Sequence, residues 1–125
     1  MLVLHMVTER RAHQRFRTYR PVRVIPAHRH SLEILTKDLT LGGARCISPS
    51  LVPVGTRIHV ELLLTAGEPP VRASGQVAWF RMIPESEQFE LGLAFEGVSD
   101  HDQQRLSHCL SRLSHRSLSE ASSSL

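Results

Sequence analysis

The sequence is poor in cysteine and in aromatic residues. It has only two cysteines, Cys46 and Cys109, which excludes a disulfide framework and a cysteine-based zinc site. We expect both thiols to be reduced, as is usual in the cytosol. One tryptophan, one tyrosine and four phenylalanines are too few to favour a stacking surface for single-stranded nucleic acid.

Long apolar runs are also missing. No segment approaches the roughly 20 apolar residues that cross a bilayer. The apolar start, "MLVLHMV", is too short for the core of a signal peptide and lacks a cleavage site. The sequence therefore predicts a soluble, cytoplasmic protein without membrane insertion. Its 125 residues predict one domain, and 41% apolar residues are compatible with a buried core.

Acidic residues are absent from most of the N-terminal quarter, and none lies between Arg10 and Leu32. Residues 1–32 hold seven arginines and one glutamate, whereas residues 33–125 hold eight basic and eleven acidic residues. The positive charge is therefore local. This favours one anionic ligand captured by a basic segment over long nucleic acid bound across the whole surface.

Alternating apolar residues and regular turn signals predict an all-β body. The turn signals recur about every ten residues, which is typical of an antiparallel barrel or sandwich. Gly75 is expected to form a bulge within one of the longer strands. The predicted strands are residues 22–26, 31–40, 44–48, 57–64, 71–80 and 89–95.

The apolar period changes after the last strand. Leu106, Leu110 and Leu113 share one face of a helix, and Ser99 is a suitable N-cap for it. The predicted layout is a tail at 1–8, an arm at 9–20, a barrel at 21–97, a helix at 99–116 and a disordered serine-rich tail at 117–125.

A first motif, "RRAHQR", lies in the basic arm from Arg10 to Arg15. Arg11 and Arg15 are four residues apart, and Arg10 directly precedes them. The planar forks of arginine can grip phosphate oxygens or the O6/N7 edge of guanine. A solvated basic tail would have the same composition, so the arm alone does not decide between a binding site and a tail.

A second motif, "DLTLGG", runs from Asp38 to Gly43 at the end of a predicted strand. The Asp38 carboxylate can accept hydrogen bonds from N1–H and N2–H of guanine, and the Thr40 hydroxyl can bond a phosphate, a base or the turn itself. Gly42 and Gly43 permit a positive φ or the close approach of a ligand. An ordinary Asx-type turn would use the same residues.

Together and in this order, the two motifs resemble the PilZ domain family. "GQVAWF" (Gly75 to Phe80) and "LGLAF" (Leu91 to Phe95) are similar to later strands of that family, and the resemblance covers roughly residues 9–112. It implies a six-stranded antiparallel β-barrel of PilZ type, with a flexible N-terminal arm and one C-terminal helix. It also implies a bacterial receptor for cyclic di-GMP that is not an enzyme and needs no cofactor.

The resemblance further implies the roles of the site residues. Arg11 and Arg15 would contact phosphates and guanine edges, and Arg10 stands where an arginine is found in members that bind two stacked ligand molecules. Thr40 replaces the usual serine, and we expect its methyl group to weaken binding or leave it unchanged. Trp79 is expected to pack in the core or at the barrel rim, with stacking on guanine as the alternative. The barrel side of the site would comprise Asp38, Thr40, Gly42 and Gly43, with Trp79 and Gly92 as secondary candidates.

The implied function is a single-domain receptor whose arm closes over cyclic di-GMP and whose new surface is read by an unidentified effector protein. The outputs implied for the family are motility, type IV pili, biofilm or development. Two alternatives stay open, namely an interaction domain of the same fold without nucleotide affinity and an RNA- or DNA-binding barrel. The histidines are not at metal-ligand spacing and no nucleophile motif is present, so we expect neither a metal nor catalytic residues.

Overall fold

The computed structural model describes the backbone of residues 16–123 and the side chains of residues 16–113. Arg10, Arg11 and Arg15 of the basic arm therefore lie outside the described residues. The described residues form seven strands and then one helix. These are β1 (Phe16–Arg17), β2 (Pro21–Pro26), β3 (Leu32–Thr40), β4 (Gly43–Ser48), β5 (Arg57–Leu62), β6 (Val71–Met82), β7 (Phe89–Val98) and α1 (Asp100–Ser123).

Six of the seven strands close into an antiparallel barrel, which confirms the predicted fold class. Around the barrel the order is β3-β2-β5-β6-β7-β4, and β4 pairs back with β3 to complete the ring. The strand β1 lies outside this ring and pairs with the end of β3, with Phe16 opposite Leu39 and Arg17 opposite Asp38. It was not predicted, because two residues are too few to show a period.

Period-two alternation explains which side chains fill the barrel. Along β5, for example, Ile58, Val60 and Leu62 are buried while Arg57 and His59 point to solvent. The same pattern holds in β2, where Val22 and Val24 are buried. The outward positions are therefore free to carry polar chemistry on the surface of a closed barrel.

The helix α1 begins at an N-cap, as predicted. The Ser99 hydroxyl accepts a hydrogen bond from the backbone N–H of Asp102 at 3.2 Å. Leu106 and Leu110 are buried against the barrel, and Leu113 is partly buried beside them. The helix extends past the predicted end at residue 116, since no glycine or proline follows Gly97 to stop it. None of the helical residues that the structure describes forms a span long and apolar enough to cross a membrane.

Candidate functional site

A shallow cleft of about 220 Å³ lies on the outer face of the barrel, where the β3–β4 turn meets β6 and β7. Five of the six barrel-side residues predicted from the sequence line it together: Thr40, Gly42, Gly43, Trp79 and Gly92. The sixth, Asp38, is buried close by and contacts Arg45, which also lines the cleft.

Two β-bulges turn site residues toward this face. In β6 the register with β7 shifts between Val77 and Trp79, so that Trp79 faces Gly92 instead of following Val77 into the core. In β3 the register with β4 shifts between Thr36 and Asp38, which places Asp38 opposite Arg45. A third shift, between Ser74 and Gly75, confirms the predicted bulge at Gly75.

Gly92 and Gly43 allow the strands and the indole ring to approach closely. A Cβ atom on Gly92 would collide with the indole of Trp79, so the ring lies directly over the backbone of β7. A Cβ atom on Gly43 would collide with the carbonyl oxygen of Leu93. Trp79 is half-buried on the outer surface and not in the core, so one part of its ring is available to the cleft.

Thr40 holds the β3–β4 turn with both functions of its hydroxyl. The oxygen accepts from the backbone N–H of Gly42 at 3.0 Å, and the hydroxyl donates to the carbonyl of Gly43 at 3.2 Å. The side chain is buried at the edge of the cleft. The hydroxyl therefore shapes the turn that presents the Gly42 and Gly43 backbone.

Asp38 is paired within the protein. Its Oδ2 atom accepts from the guanidinium of Arg45, in an ion pair between a carboxylate that is 5% exposed and an arginine that is 30% exposed. The hydrogen bond to Asp38 raises the pKa of Arg45. Burial lowers that pKa by a smaller amount, so the pKa is raised overall. Arg45 was missed by sequence reasoning, because an arginine at an outward strand position looks like any solvated side chain.

Glu90 is a second residue that the sequence did not single out, and its side chain is only 1% exposed. Its carboxylate accepts from Arg45 at 3.2 Å and from Arg81 at 3.0 Å, and Lys37 lies 3.5 Å away. Burial alone would raise the pKa of Glu90, but the hydrogen bond from Arg81 and the charges of Lys37, Arg81 and Arg45 lower it overall. The alternation of β7 gave no signal for this cluster, since Glu90 occupies an ordinary outward position.

The basic arm joins the barrel beside the cleft. Its described end, Phe16, pairs with Leu39, the neighbour of Thr40 in β3. The backbone of Thr18 is also bonded to Lys37, since the Thr18 N–H donates to the Lys37 carbonyl at 3.1 Å. The first described residues after Arg15 are therefore paired with β3 at the edge of the site.

The model of one protein family matches most of this chain. The PilZ domain model matches residues 9–112, a range that includes both motifs and every strand of the barrel. The chain belongs to the PilZ domain family. No curated protein matches it.

Solved structures show the same PilZ fold at low sequence identity. The PilZ domain with c-di-GMP of YcgR from Escherichia coli matches with a TM-score of 0.69 at 18% identity, over 90% of this chain and 98% of that one. YcgR from the same organism in complex with c-di-GMP gives 0.76 at 18% identity, over 93% of this chain and 51% of that one. The inhibitor of motility MotI/DgrA from Bacillus subtilis matches with a TM-score of 0.69 at 20% identity, over 82% of this chain and 50% of that one. The PilZ chain thus spans about half the length of YcgR and MotI/DgrA.

Proposed function

We propose that this PilZ domain is a cyclic di-GMP receptor that binds its ligand between the basic arm and the outer cleft. One observation carries the proposal: four separate strands and one turn contribute residues to a single cleft, namely Thr40, Gly42, Gly43, Trp79 and Gly92. The first described residues after Arg15 lie at the edge of that cleft. YcgR, whose fold this chain shares, is known in complex with c-di-GMP.

The chemistry of the cleft fits the ligand. Cyclic di-GMP offers two phosphates and two guanines, which call for cationic forks and for flat apolar surfaces. Arg11 and Arg15, with Arg10 before them, supply the forks in the proposal. The indole of Trp79 supplies a flat surface, and the glycines leave backbone accessible to a base.

Asp38 has a more specific role in this proposal. Because Arg45 holds its Oδ2 atom, the carboxylate is fixed in position beside the cleft. A fixed carboxylate is a good acceptor for the N1–H and N2–H donors of guanine. Arg45 itself is placed to contact the ligand as an additional cation, because it lines the cleft.

The proposed mechanism is closure of the arm over the ligand. Ordering the arm costs conformational entropy, which charge-assisted hydrogen bonds to the phosphates offset. The closed arm then presents a surface that an effector protein reads, within bacterial second-messenger signalling in the cytoplasm. The whole mechanism requires neither catalysis nor a cofactor.

Calorimetric titration of cyclic di-GMP at fixed salt tests the proposal. We expect saturable binding by the wild type and a loss of about ten- to a hundred-fold in affinity for Arg15→Ala, as one charge-assisted fork is removed. The stoichiometry distinguishes one ligand from two. Cyclic di-AMP, which lacks the guanine N1–H and N2–H donors, should bind much more weakly.

Arg72→Ala is the matched control, since Arg72 is an exposed arginine of β6 whose side chain pairs with Glu61 and does not line the cleft. Its affinity should equal that of the wild type. If the wild type shows no binding by calorimetry or by a second method, the receptor proposal fails. The interaction domain without nucleotide affinity would then be the better description.

A further inference from the structure

A second cleft, of about 640 Å³, lies on the opposite side of the barrel and is lined by basic and apolar residues. It sits over the β2–β5 pair, three strand positions around the ring from the β7–β4 pair that borders the candidate ligand site. No acidic residue is among its lining residues, which are Ile25, Pro26, Ala27, His28, Arg29, His30, Arg57 and His59.

The β2–β3 turn is folded onto β5 to form this cleft. The backbone N–H of Ala27 donates to the carbonyl of Arg57 at 2.9 Å, and the Arg29 side chain donates to the carbonyl of Leu51 at 3.3 Å. His59 stands opposite Ile25 in the β2–β5 ladder. Histidines from the turn and from β5 therefore border the same space.

The backbone at His28 is unusual. Its φ is 60°, in the left-handed region where glycine is favoured and where a side chain adds strain. A glycine would be accommodated more easily at this position in the turn. The presence of an imidazole there, beside Arg29 and His30, points to a use for the side chain.

Few negative charges face the cleft. Glu96 of β7 pairs with Arg57 at 2.7 Å, but both side chains are largely exposed, at 45% and 73%, so water screens this pair. Farther along the barrel, Glu33 of β3 and Glu61 of β5 pair with Arg23 of β2. The neighbours of the cleft on β6 are uncharged, because Ser74 stands opposite His59 and Gln76 opposite Arg57.

The surface of the cleft carries a small net positive charge. Arg29, Arg57 and Glu96 together leave one positive charge, and the ring N–H groups of the three lining histidines add hydrogen-bond donors. The three lining histidines do not converge on one ion. Among the described residues, no group of three His, Cys, Asp or Glu side chains is placed to hold a metal.

We propose that this cleft is a second binding site, for a small polyanion that carries two or more phosphate groups. Spread cationic groups suit a ligand with several separated charges better than a single ion, and arginine forks match phosphate oxygens. The site is independent of the cyclic di-GMP cleft, since the two share no residue.

The test is an NMR titration of the full chain with sodium tripolyphosphate at one fixed pH, at low and at high ionic strength. We expect amide shifts centred on residues 27–30 and 57–59, and weaker binding at the higher ionic strength, because salt screens the attraction between the arginines and the phosphates. Inorganic phosphate should bind more weakly than tripolyphosphate, because it engages fewer cations.

Two variants and one control complete the test. Arg29→Gln should weaken tripolyphosphate binding by about ten-fold, and His59→Ala, which removes an exposed imidazole and its N–H donor, should weaken it by a smaller factor. Arg72→Gln should leave the affinity unchanged. Cyclic di-GMP titrations of Arg29→Gln should match those of the wild type, so the two sites are judged separately.

The proposal is overturned if the shifts centre on residues 38–45 instead. It is also overturned if Arg29→Gln and His59→Ala both bind tripolyphosphate like Arg72→Gln. Because His59 makes no contact that holds the turn in place, its variant keeps the test informative even if Arg29→Gln disturbs the loop at Leu51.

Discussion

At the scale of single residues, the space above Gly92 determines where the only tryptophan lies. The indole of Trp79 rests on the backbone of Gly92, and any side chain there would occupy the position of the ring. The two residues face each other because the bulge after Val77 resets the register. The shape of the cleft thus depends on one missing Cβ atom.

Gly92→Ala should displace the indole and impair the site. We expect a loss of about 1–3 kcal/mol in the free energy of unfolding, typical of an overpacked position. Trp79 emission should shift to longer wavelength, and cyclic di-GMP should bind more weakly. Urea unfolding followed by tryptophan fluorescence measures the first two effects in one experiment.

Gly97→Ala is the control for that substitution, because a Cβ at Gly97 meets only the side chain of Ser74, which can rotate away. It should leave the emission of Trp79 unchanged. Equal effects of the two variants would mean that the contact between Gly92 and Trp79 does not shape the site.

Glu90 provides a prediction that depends on pH. Its carboxylate is buried among Arg45, Arg81 and Lys37, and together they lower its pKa. A carboxyl group with a lowered pKa in the folded state stabilises the protein above its unfolded pKa of about 4.3. That contribution is lost as the pH falls through the folded value.

Glu90→Gln should therefore lower the free energy of unfolding at pH 7 by about 1–3 kcal/mol, because three cations lose their shared partner. The difference between wild type and variant should shrink as the pH is lowered from about 7 to about 3. Glu87→Gln, at an exposed position of the β6–β7 turn, should stay within about 0.5 kcal/mol throughout. A difference that grows on acidification would contradict the assigned charge network.

At the scale of elements, the β3–β4 turn depends on the Thr40 hydroxyl. Thr40→Val keeps the shape but removes bonds to the Gly42 N–H and the Gly43 carbonyl, and should cost about 1–3 kcal/mol. Thr40→Ser keeps both bonds and should bind cyclic di-GMP as tightly as the wild type or more tightly, since a methyl group leaves the cleft. Calorimetry and urea unfolding of both variants check this. Tight binding by Thr40→Val would show that the turn tolerates loss of the hydroxyl.

The sequence was sufficient to predict the six barrel strands and the helix, because each shows its own period over enough residues. It was insufficient for β1 at Phe16–Arg17 and for the bulge between Val77 and Trp79. A two-residue strand exists only through its partner, and a bulge is a mismatch between two strands. Neither feature is written in the local pattern of one segment.

The candidate site divides in the same way. Thr40, Gly42 and Gly43 lie in one motif and were predicted from it. Arg45 and Glu90 were not, because their side chains meet only through the pairing of β4 with β7, where Arg45 stands opposite Gly92 and Glu90 opposite Ile47. Alternation predicts that a side chain points outward, but only the closed barrel determines what it meets there.

At the scale of the whole molecule, the two cysteines report on different motions. Cys46 lies in β4 and is 0% exposed inside the barrel, and burial, with the charge of Asp38, raises its pKa to about 12. Cys109 is 4% exposed and lies on the helix, at a cleft between α1 and the β5–β6 loop. Cys46 becomes reactive only when the barrel opens, whereas Cys109 needs only movement of the helix.

Thiol labelling of the single-cysteine variants Cys46→Ser and Cys109→Ser should separate these motions. Local opening costs less free energy than global unfolding, so Cys109 should react at least about ten-fold faster than Cys46 in native buffer. The rate at Cys46 should follow the global free energy of unfolding across a urea series, while the rate at Cys109 should level off at low urea. Because only thiolates react, both rates should approach each other in full denaturant, where burial no longer matters. Equal native rates would mean that β4 separates from its neighbours as easily as the helix leaves the barrel, and the closed ring would then not be the stable unit of this fold.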